Sequence, residues 1–99
     1  MAFTVLFSNR AIKDIQLLKQ AKLASKAQSL CRILEDNPFQ TPPPYEKLVG
    51  DLKGSYSRRI NIQHRLVYEV REKENLIVIL RMWSHYEWWK GAAIAFFFL

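Results

Sequence analysis

The sequence predicts an α+β domain in which an N-terminal strand and two helices precede three antiparallel strands. Three observations support this prediction: a β-favouring segment at residues 2–7, helical periodicity up to residue 36, and three strand-like runs after residue 54 that short turns separate. Ninety-nine residues suffice for one domain with a modest core. We therefore expect both helices to cover one face of the sheet, which leaves the other face free for function.

The helical region follows the first strand directly. Ser8 and Asn9 are favourable N-cap residues. Apolar residues then recur at steps of three or four, at Ile12, Ile15 and Leu18 and again at Ala27, Leu30 and Leu34. Residues 19–26 are only weakly apolar, so we expect two helices, or one bent helix, with the break near residues 20–24. Lysines 13, 19, 22 and 26 lie mostly off the apolar stripe and predict a solvated face.

The second half of the chain reads as strands. NPFQTPPP, residues 37–44, cannot continue a helix because proline lacks the amide proton and restricts the preceding residue. Residues 55–61 and 65–70 are expected to pair across a tight turn, and EKEN at 72–75 makes a second turn. The apolar run at residues 76–83 predicts a central strand that is buried on both faces.

Composition restricts the function. Fifteen Lys and Arg residues against nine acidic residues give a net charge of +6, which favours a polyanionic partner: nucleic acid, an anionic surface or an acidic protein. The lone Cys31 cannot form an intrachain disulfide, and one Cys with two His residues is a poor metal-ligand set. We therefore expect no metal or other cofactor. The N-terminal apolar segment is too short for a signal peptide, so the expected location is the cytoplasm.

Charged side chains concentrate on the predicted strands. Side chains alternate between the faces of a strand, so Arg59 lies opposite Arg58 and shares a face with Ser57. If the hairpin register brings matching sets to one side, four residues converge on one patch: Arg59, Arg65, Arg81 and His85. The alternative is a set of surface charges on a solvated sheet.

Such a patch would suit phosphate chemistry. Guanidinium groups offer forked donors to phosphate oxygens, and a histidine can give a proton to a leaving oxygen near neutral pH. Glu46, just after the proline-rich residues, could supply a base. A base, an acid and cations around a phosphate are what RNA cleavage without a metal requires, because the 2′-hydroxyl must lose a proton and the 5′-oxygen must gain one.

Two segments carry a specific resemblance. YEKLVGDLKGSYSRRINIQHRLVYEV, residues 45–70, followed by RMWSHYE at 81–87, resembles the YoeB branch of the RelE-type toxins of bacterial toxin–antitoxin systems. The resemblance covers residue 44 to about residue 87, and the upstream strand and helix pair agree in order and length. It implies the β-α-α-β-β-β fold of RelE-like toxins. It also implies ribosome-dependent, metal-independent cleavage of mRNA in the A site.

The resemblance also assigns roles to individual residues. It implies that Glu46 is the general base, that His85 is the general acid and that Arg65 stabilises the phosphorane. Arg59 would bind the scissile phosphate, and Tyr86 would support a base or the backbone near the acid. Three further cations could add electrostatic contact with ribosomal RNA without taking part in the chemistry, namely Lys47, Lys53 and Arg81.

Each residue also has a structural interpretation. Glu46 could cap a short helix or lie in solvent. Arg58, on the opposite strand face, is more consistent with a salt bridge or a contact to ribosomal RNA, and His64 with shaping the turn. Three aromatic residues are expected to pack rather than to stack on bases, namely Tyr56, Tyr68 and Trp83.

The implied partners are an antitoxin, the 70S ribosome and mRNA. Antitoxins of this family wrap a flexible acidic segment over the toxin, which suits a basic surface. The YoeB branch forms dimers, so the resemblance allows a homodimer, although no residue indicates one. Two alternatives stay open: a non-enzymatic inhibitor of DNA gyrase, as in the related ParE-type toxins, and a catalytically silent binding protein.

The C-terminal segment departs from the family pattern. Family chains usually end near the His-Tyr pair, whereas this one continues with WWKGAAIAFFFL, residues 88–99. These residues are too few for a membrane span of about 20 residues. They could pack on the helices, lie in a dimer interface or be a read-through product, and Trp88–Trp89 predicts a contact site. We expect one toxin domain at residues 1–87 and an extension of unknown role at 88–99.

Overall fold

The computed structural model describes residues 2–48, 54–62 and 64–85, with only the backbone of Ser84 and His85. Two helices and five strands follow one another in these ranges. They are β1 (Thr4–Phe7), α1 (Asn9–Gln20), α2 (Ala24–Asp36), β2 (Glu46–Lys47), β3 (Ser55–Arg59), β4 (His64–Arg71) and β5 (Leu76–His85). A 3₁₀ turn at Glu72–Glu74 joins the last two strands. The predicted α+β class and the order of helices and strands are confirmed.

The five strands form one mixed sheet in the order β1-β5-β4-β3-β2. The last three strands are antiparallel, as predicted. β1 pairs in parallel with β5, with Thr4 opposite Leu76, so the sheet gains a parallel edge. β2 forms where the sequence predicted only a connecting segment, because a strand of two residues is too short to show any periodicity.

Local signals account for both ends of α1. The Ser8 Oγ accepts a hydrogen bond from the Ala11 amide at 3.1 Å and donates to the Leu80 carbonyl at 2.9 Å, so the N-cap also ties α1 to β5. Lys22 adopts φ 61°, and the Leu23 amide donates back to the Leu18 carbonyl at 2.8 Å. This left-handed ending separates α1 from α2 within residues 20–24, as predicted.

The core lies between the two helices and one face of the sheet. Its buried side chains come from both helices and from the central strands, namely Ala11, Leu18, Ala27, Leu30, Leu34, Ile60, Leu66, Tyr68, Ile77, Ile79 and Met82. The predicted stripe of α2 is confirmed. On α1 the buried row is Ala11, Asp14 and Leu18, whereas Ile12 is 52% exposed. One residue turns a helix by about 100°, so a short apolar pattern did not fix which face is inward.

β5 is central, as predicted, with β1 on one side and β4 on the other. Only the face toward the helices is buried, at Ile77 and Ile79, whereas Val78 and Leu80 are half-buried. The expectation of burial on both faces was therefore wrong, because both helices pack on the same face. The next buried residue is Met82, and the pairing with β4 shifts register here. This irregularity breaks the simple alternation of side chains along β5.

The predicted boundary at residue 87 and the extension at 88–99 fall outside the described residues. Neither helix in the described ranges is long and apolar enough to cross a membrane.

The four lysines of the helical region are exposed, as predicted for a solvated face.

Candidate functional site

Glu46 and Arg65 form the centre of the site. Arg65 Nη1 donates to Glu46 Oε1 at 2.5 Å and contacts Ser57 Oγ at 3.3 Å. Strand register explains this meeting, since Glu46 of β2 lies opposite Ser57 of β3, and Arg65 of β4 lies opposite Arg59 of β3. Residues that are far apart in sequence thus lie on three adjacent strands, on the face opposite the helices.

These side chains line an open cleft of about 170 Å³. Its walls are Pro43, Pro44, Glu46, Ser57, Arg59 and Arg65. Arg65 is mostly covered, with 14% of its side chain exposed, whereas Glu46 is 44% exposed. Two guanidinium groups against one carboxylate give the cleft a positive charge, and forked donors match phosphate oxygens. The cleft can therefore hold an anionic group beside an accessible carboxylate.

Arg58 lies under this cleft rather than on the surface. Its side chain is 1% exposed. Nη1 donates to the Pro43 carbonyl at 2.6 Å, Nη2 donates to the Pro38 carbonyl at 2.9 Å and Nε donates to the Tyr68 hydroxyl at 3.2 Å. The expectation of a salt bridge or a contact to ribosomal RNA was wrong. Backbone carbonyls bind this cation, and its burial leaves no surface for RNA.

Tyr68 completes the buried network. Its hydroxyl donates to the Pro38 carbonyl at 3.0 Å while it accepts from Arg58. Burial raises the pKa of Tyr68 to about 12, although the neighbouring Arg58 guanidinium acts in the opposite direction. The hydroxyl therefore stays protonated at neutral pH and remains a donor. Tyr56 stacks on Tyr68 with ring centroids 5.8 Å apart, so both tyrosines pack as predicted.

Arg81 is engaged elsewhere. Its Nε donates to Asp14 Oδ2 at 2.9 Å, and the same oxygen accepts from the amides of Met82 at 3.0 Å and Trp83 at 3.2 Å. Arg81 is not among the described residues that line the cleft. The structure therefore does not bring Arg81 together with Arg59 and Arg65 in that cleft. The register shift of β5 gives the physical reason, because the expectation assumed unbroken alternation.

The two histidines lie side by side on neighbouring strands. His64 begins β4 and is 5% exposed, and its carbonyl accepts from the amides of Ile60 and Asn61 in the hairpin turn. Its ring stacks on Trp83 with centroids 3.8 Å apart, so Trp83 packs as predicted and His64 shapes the turn. The backbone of His85 pairs with His64, and Ser84 pairs with Arg65. The strand end that carries the predicted acid is thus adjacent to the cleft strands.

Three predicted RNA-binding residues, Lys47, Lys53 and Tyr86, are not part of the described cleft. Lys47 is exposed on β2, beside Glu46 in sequence and opposite Tyr56. Tyr86 and Lys53 lie outside the described residues. The roles assigned to Glu46, Arg59, Arg65, His85, Lys47 and Tyr86 therefore stay predictions at this point.

Sequence reasoning missed the contacts of three residues. Asp14 was overlooked, although it lies three residues after Ala11 and four before Leu18, and an acid within a buried row indicates a buried partner. The role of Arg58 was missed because the partner carbonyls of Pro38 and Pro43 carry no side-chain signal. Ser57 was placed on the correct face but had no assigned contact, and it now joins Arg65.

A second cavity of about 300 Å³ lies between the helices and β5. Its lining is mostly apolar and includes Cys31, Leu18 and Met82. Burial raises the pKa of Cys31 to about 11, and the nearby Glu35 adds to the rise. The thiol is therefore protonated at neutral pH, which argues against a nucleophilic role. The cleft around Glu46 is the better candidate for chemistry.

Fold and cleft together define a small basic α+β domain of the RelE type, with a carboxylate–guanidinium pair on the face of the sheet that the helices leave open. Residues 7–90 match the family of YoeB-like toxins of bacterial type II toxin–antitoxin systems. The chain belongs to this family.

Individual relatives agree with this assignment. The Toxin YoeB of Synechocystis is 38% identical over 74 residues, which are 75% of this chain and 77% of the relative. A YoeB–YefM complex from Staphylococcus aureus is 35% identical with a TM-score of 0.72, over 87% of this chain and 100% of that one. A YoeB dimer from the same organism is 35% identical with a TM-score of 0.73, at the same coverage.

Proposed function

We propose that this toxin is a ribosome-dependent endoribonuclease that cleaves mRNA in the A site by metal-independent acid–base transesterification. The observation that carries the proposal is the cleft in which Glu46 and Arg65 form an ion pair beside Arg59 and Ser57. This set brings together one carboxylate and two guanidinium groups, which are the groups that the proposed reaction requires as its base and as its phosphate-binding cations. Family membership supports the same chemistry.

The proposed reaction uses one residue for each proton or charge. The Glu46 carboxylate takes the proton of the 2′-hydroxyl, and the 2′-oxygen attacks the adjacent phosphorus. The Arg65 guanidinium stabilises the negative charge of the phosphorane, and Arg59 binds the scissile phosphate. His85 then gives a proton to the departing 5′-oxygen. The products are a 2′,3′-cyclic phosphate and a free 5′-hydroxyl.

The observed ion pair indicates how substrate would enter. Glu46 holds Arg65 at 2.5 Å, so an arriving phosphate must compete for this guanidinium. A phosphate that draws Arg65 away would free the carboxylate to accept a proton from the 2′-hydroxyl. Glu46 is 44% exposed and therefore accessible to that hydroxyl. Tyr86 and Lys47 would support the bound RNA, whereas Arg81 stays outside this proposal because Asp14 holds it.

The partners follow from the same reasoning. A small open cleft cannot by itself hold RNA with the 2′-oxygen in line with the bond to the departing 5′-oxygen, so we assign that positioning to the ribosome. Correct orientation of reacting groups is worth several orders of magnitude in rate. An antitoxin with an acidic segment would neutralise the basic surface in the cytoplasm. The YoeB–YefM toxin–antitoxin complex of Staphylococcus aureus supports an antitoxin partner. A homodimer is consistent with the YoeB dimer of Staphylococcus aureus.

Primer extension of mRNA on programmed 70S ribosomes tests the proposal. Glu46→Gln and His85→Gln should each lower the rate of A-site cleavage by about 10²–10⁴-fold, which is the usual contribution of general acid–base catalysis. Glu69→Gln is the matched control, because Glu69 pairs with Arg71 and does not line the cleft. Undiminished cleavage by both site variants would overturn the assigned roles. If the folded parent chain leaves mRNA intact, the proposal fails, and gyrase supercoiling becomes the next assay.

A further inference from the structure

Arg58 is a buried cation whose charge is bound by uncharged oxygens. Its side chain is 1% exposed and lies within 4 Å of no acidic group in the part of the chain that the structure describes. All three nitrogen positions of the guanidinium donate, to the carbonyls of Pro38 and Pro43 and to the hydroxyl of Tyr68. Desolvating a cation is costly, and hydrogen bonds to carbonyls compensate only in part. An apolar residue would fill this site at lower cost, so the contacts themselves require an explanation.

The contacts hold the segment that leads to Glu46, which we name the proline segment (residues 38–45). Arg58 binds its first carbonyl, at Pro38, and a later one, at Pro43. The guanidinium carbon also lies 5.2 Å from the ring centroid of Tyr45, the residue directly before Glu46. Pro43, three residues before Glu46, is itself a wall of the cleft. One side chain therefore fixes both ends of the segment that delivers the carboxylate.

The strand that carries Glu46 is short, and contacts of the Tyr45 ring with Phe39 and Tyr56 add to the support that Arg58 gives. β2 has only two residues, and they pair with Ser57 and Tyr56 of β3. A two-residue ladder sets the direction of the chain but resists rotation and sliding poorly. Arg58 lies in β3 between Ser57 and Arg59, which line the cleft, while its own side chain passes to the other face. The strand that forms the cleft wall thus also carries the anchor of the opposing segment.

We propose that Arg58 is a positioning residue that sets the distance between the Glu46 carboxylate and the Arg65 guanidinium by anchoring the proline segment. Its catalytic consequence rests on the function proposed above. Arg58 touches no reacting group, so it acts only through Glu46. A lysine at this position keeps the charge but cannot reach both carbonyls and the tyrosine hydroxyl with one ammonium group.

A kinetic cycle tests the action through Glu46. In full-length protein, Arg58→Lys should lower the single-turnover cleavage rate on programmed ribosomes by about 10–100-fold, the scale of an ångström-sized misplacement. The ribosome concentration at half-maximal rate should change by less than about threefold. In a Glu46→Gln background the same substitution should cause no further loss. Losses that multiply in the double variant would overturn the proposal, because they indicate only a smaller folded fraction.

Hydrogen exchange of the free protein gives a second readout that does not depend on cleavage. The Leu48 amide donates to the Ser55 carbonyl at 2.9 Å. Its exchange rate therefore reports how firmly β2 and the residue after it stay attached to β3. Arg58→Lys should accelerate its exchange at least tenfold. Leu30→Val, a core change in α2, is the control for a general loss of stability and should leave the ratio of Leu48 exchange to Ile79 exchange unchanged.

The two readouts separate the possible failures. If the parent chain does not cleave mRNA, the proposed function is lost, and exchange at Leu48 alone decides whether Arg58 anchors the segment. If the parent cleaves and Arg58→Lys cleaves at the parental rate, the positioning role is overturned whatever the exchange shows. Unchanged exchange at Leu48 in Arg58→Lys would likewise overturn the anchoring.

Discussion

The carboxylate of Asp14 offers the sharpest test of how the helices and the sheet are joined. One oxygen accepts three hydrogen bonds, from Arg81 Nε at 2.9 Å and from the amides of Met82 and Trp83 at 3.0 and 3.2 Å. Only 6% of the Asp14 side chain is exposed, and 21% of that of Arg81. Asp14→Ala would remove the acceptor of all three donors and leave a half-buried cation without this partner.

The expected loss follows from these contacts. A hydrogen bond to a charged group contributes about 1.5–3 kcal/mol, but contributions that share one oxygen are not additive. Removing one partner of a buried ion pair costs about 3–5 kcal/mol, and we expect Asp14→Ala to lower the free energy of unfolding by this amount. Asp14→Asn keeps one acceptor oxygen and should lose only about 2 kcal/mol. The free energy of unfolding of a small domain is only about 5–15 kcal/mol, so Asp14→Ala could prevent folding altogether. The milder Asp14→Asn variant keeps the test measurable in that case.

Urea denaturation followed by far-ultraviolet circular dichroism measures these losses, with Arg81→Met and the double variant completing a cycle. We expect a coupling energy of about 1–3 kcal/mol between Asp14 and Arg81. Ile12→Ala is a matched control on the same helix, since Ile12 is 52% exposed, and should change stability by less than about 1 kcal/mol. A loss below about 1 kcal/mol for Asp14→Ala would refute the reasoning, because the three bonds would then contribute no more than a surface contact.

Three further outcomes can be measured on the free protein. Alkylation of Cys31 by iodoacetamide should reach half its maximal rate near pH 11 rather than pH 9, since only the thiolate reacts; a midpoint near pH 9 would contradict its burial. Burial raises the pKa of Tyr68 from 10.0 to about 12 in the folded protein. The protonated hydroxyl therefore contributes fully to the free energy of unfolding below pH 10, and this contribution is lost as the pH rises toward 12. The parent should therefore lose about 2 kcal/mol of unfolding free energy more than Tyr68→Phe between pH 10 and pH 12, and parallel pH profiles would argue against this. Lys22→Gly should raise the free energy of unfolding by about 0.5–1 kcal/mol, because Lys22 is left-handed at φ 61°, whereas the same change at exposed Lys13 within α1 should lower it by about 1 kcal/mol.

Much of the fold was predictable because its signals are local. Ser8 as an N-cap, the break near Lys22 and the arrest of helix formation by the prolines each depend on a few neighbouring residues. The hairpins were predictable because their strands are separated by short turns. The parallel pairing of β1 with β5 was not, because it depends on where the helices carry the chain rather than on any residue in β1.

The site was predictable only in part. Glu46 and Arg65 were assigned through the resemblance, and their contact depends on the pairing of β2 with β3, which two residues cannot indicate in sequence. Arg81 was misplaced because alternation was extended through the register shift of β5. Arg58 was taken for a surface cation, since nothing in the sequence identifies two proline carbonyls as its partners.

The position of β1 has a consequence for how the chain folds during synthesis. Among the described strands, β1 pairs only with β5, with Thr4 opposite Leu76 and Phe7 opposite Ile79. Contacts between residues that are far apart in sequence form late and slow the search for the native state. The helices can form early on a growing chain, but the sheet cannot close until β5 has left the ribosomal tunnel. The five-stranded sheet is therefore completed only after β5 has been translated, so β1 joins the enclosed core late although it is synthesised first.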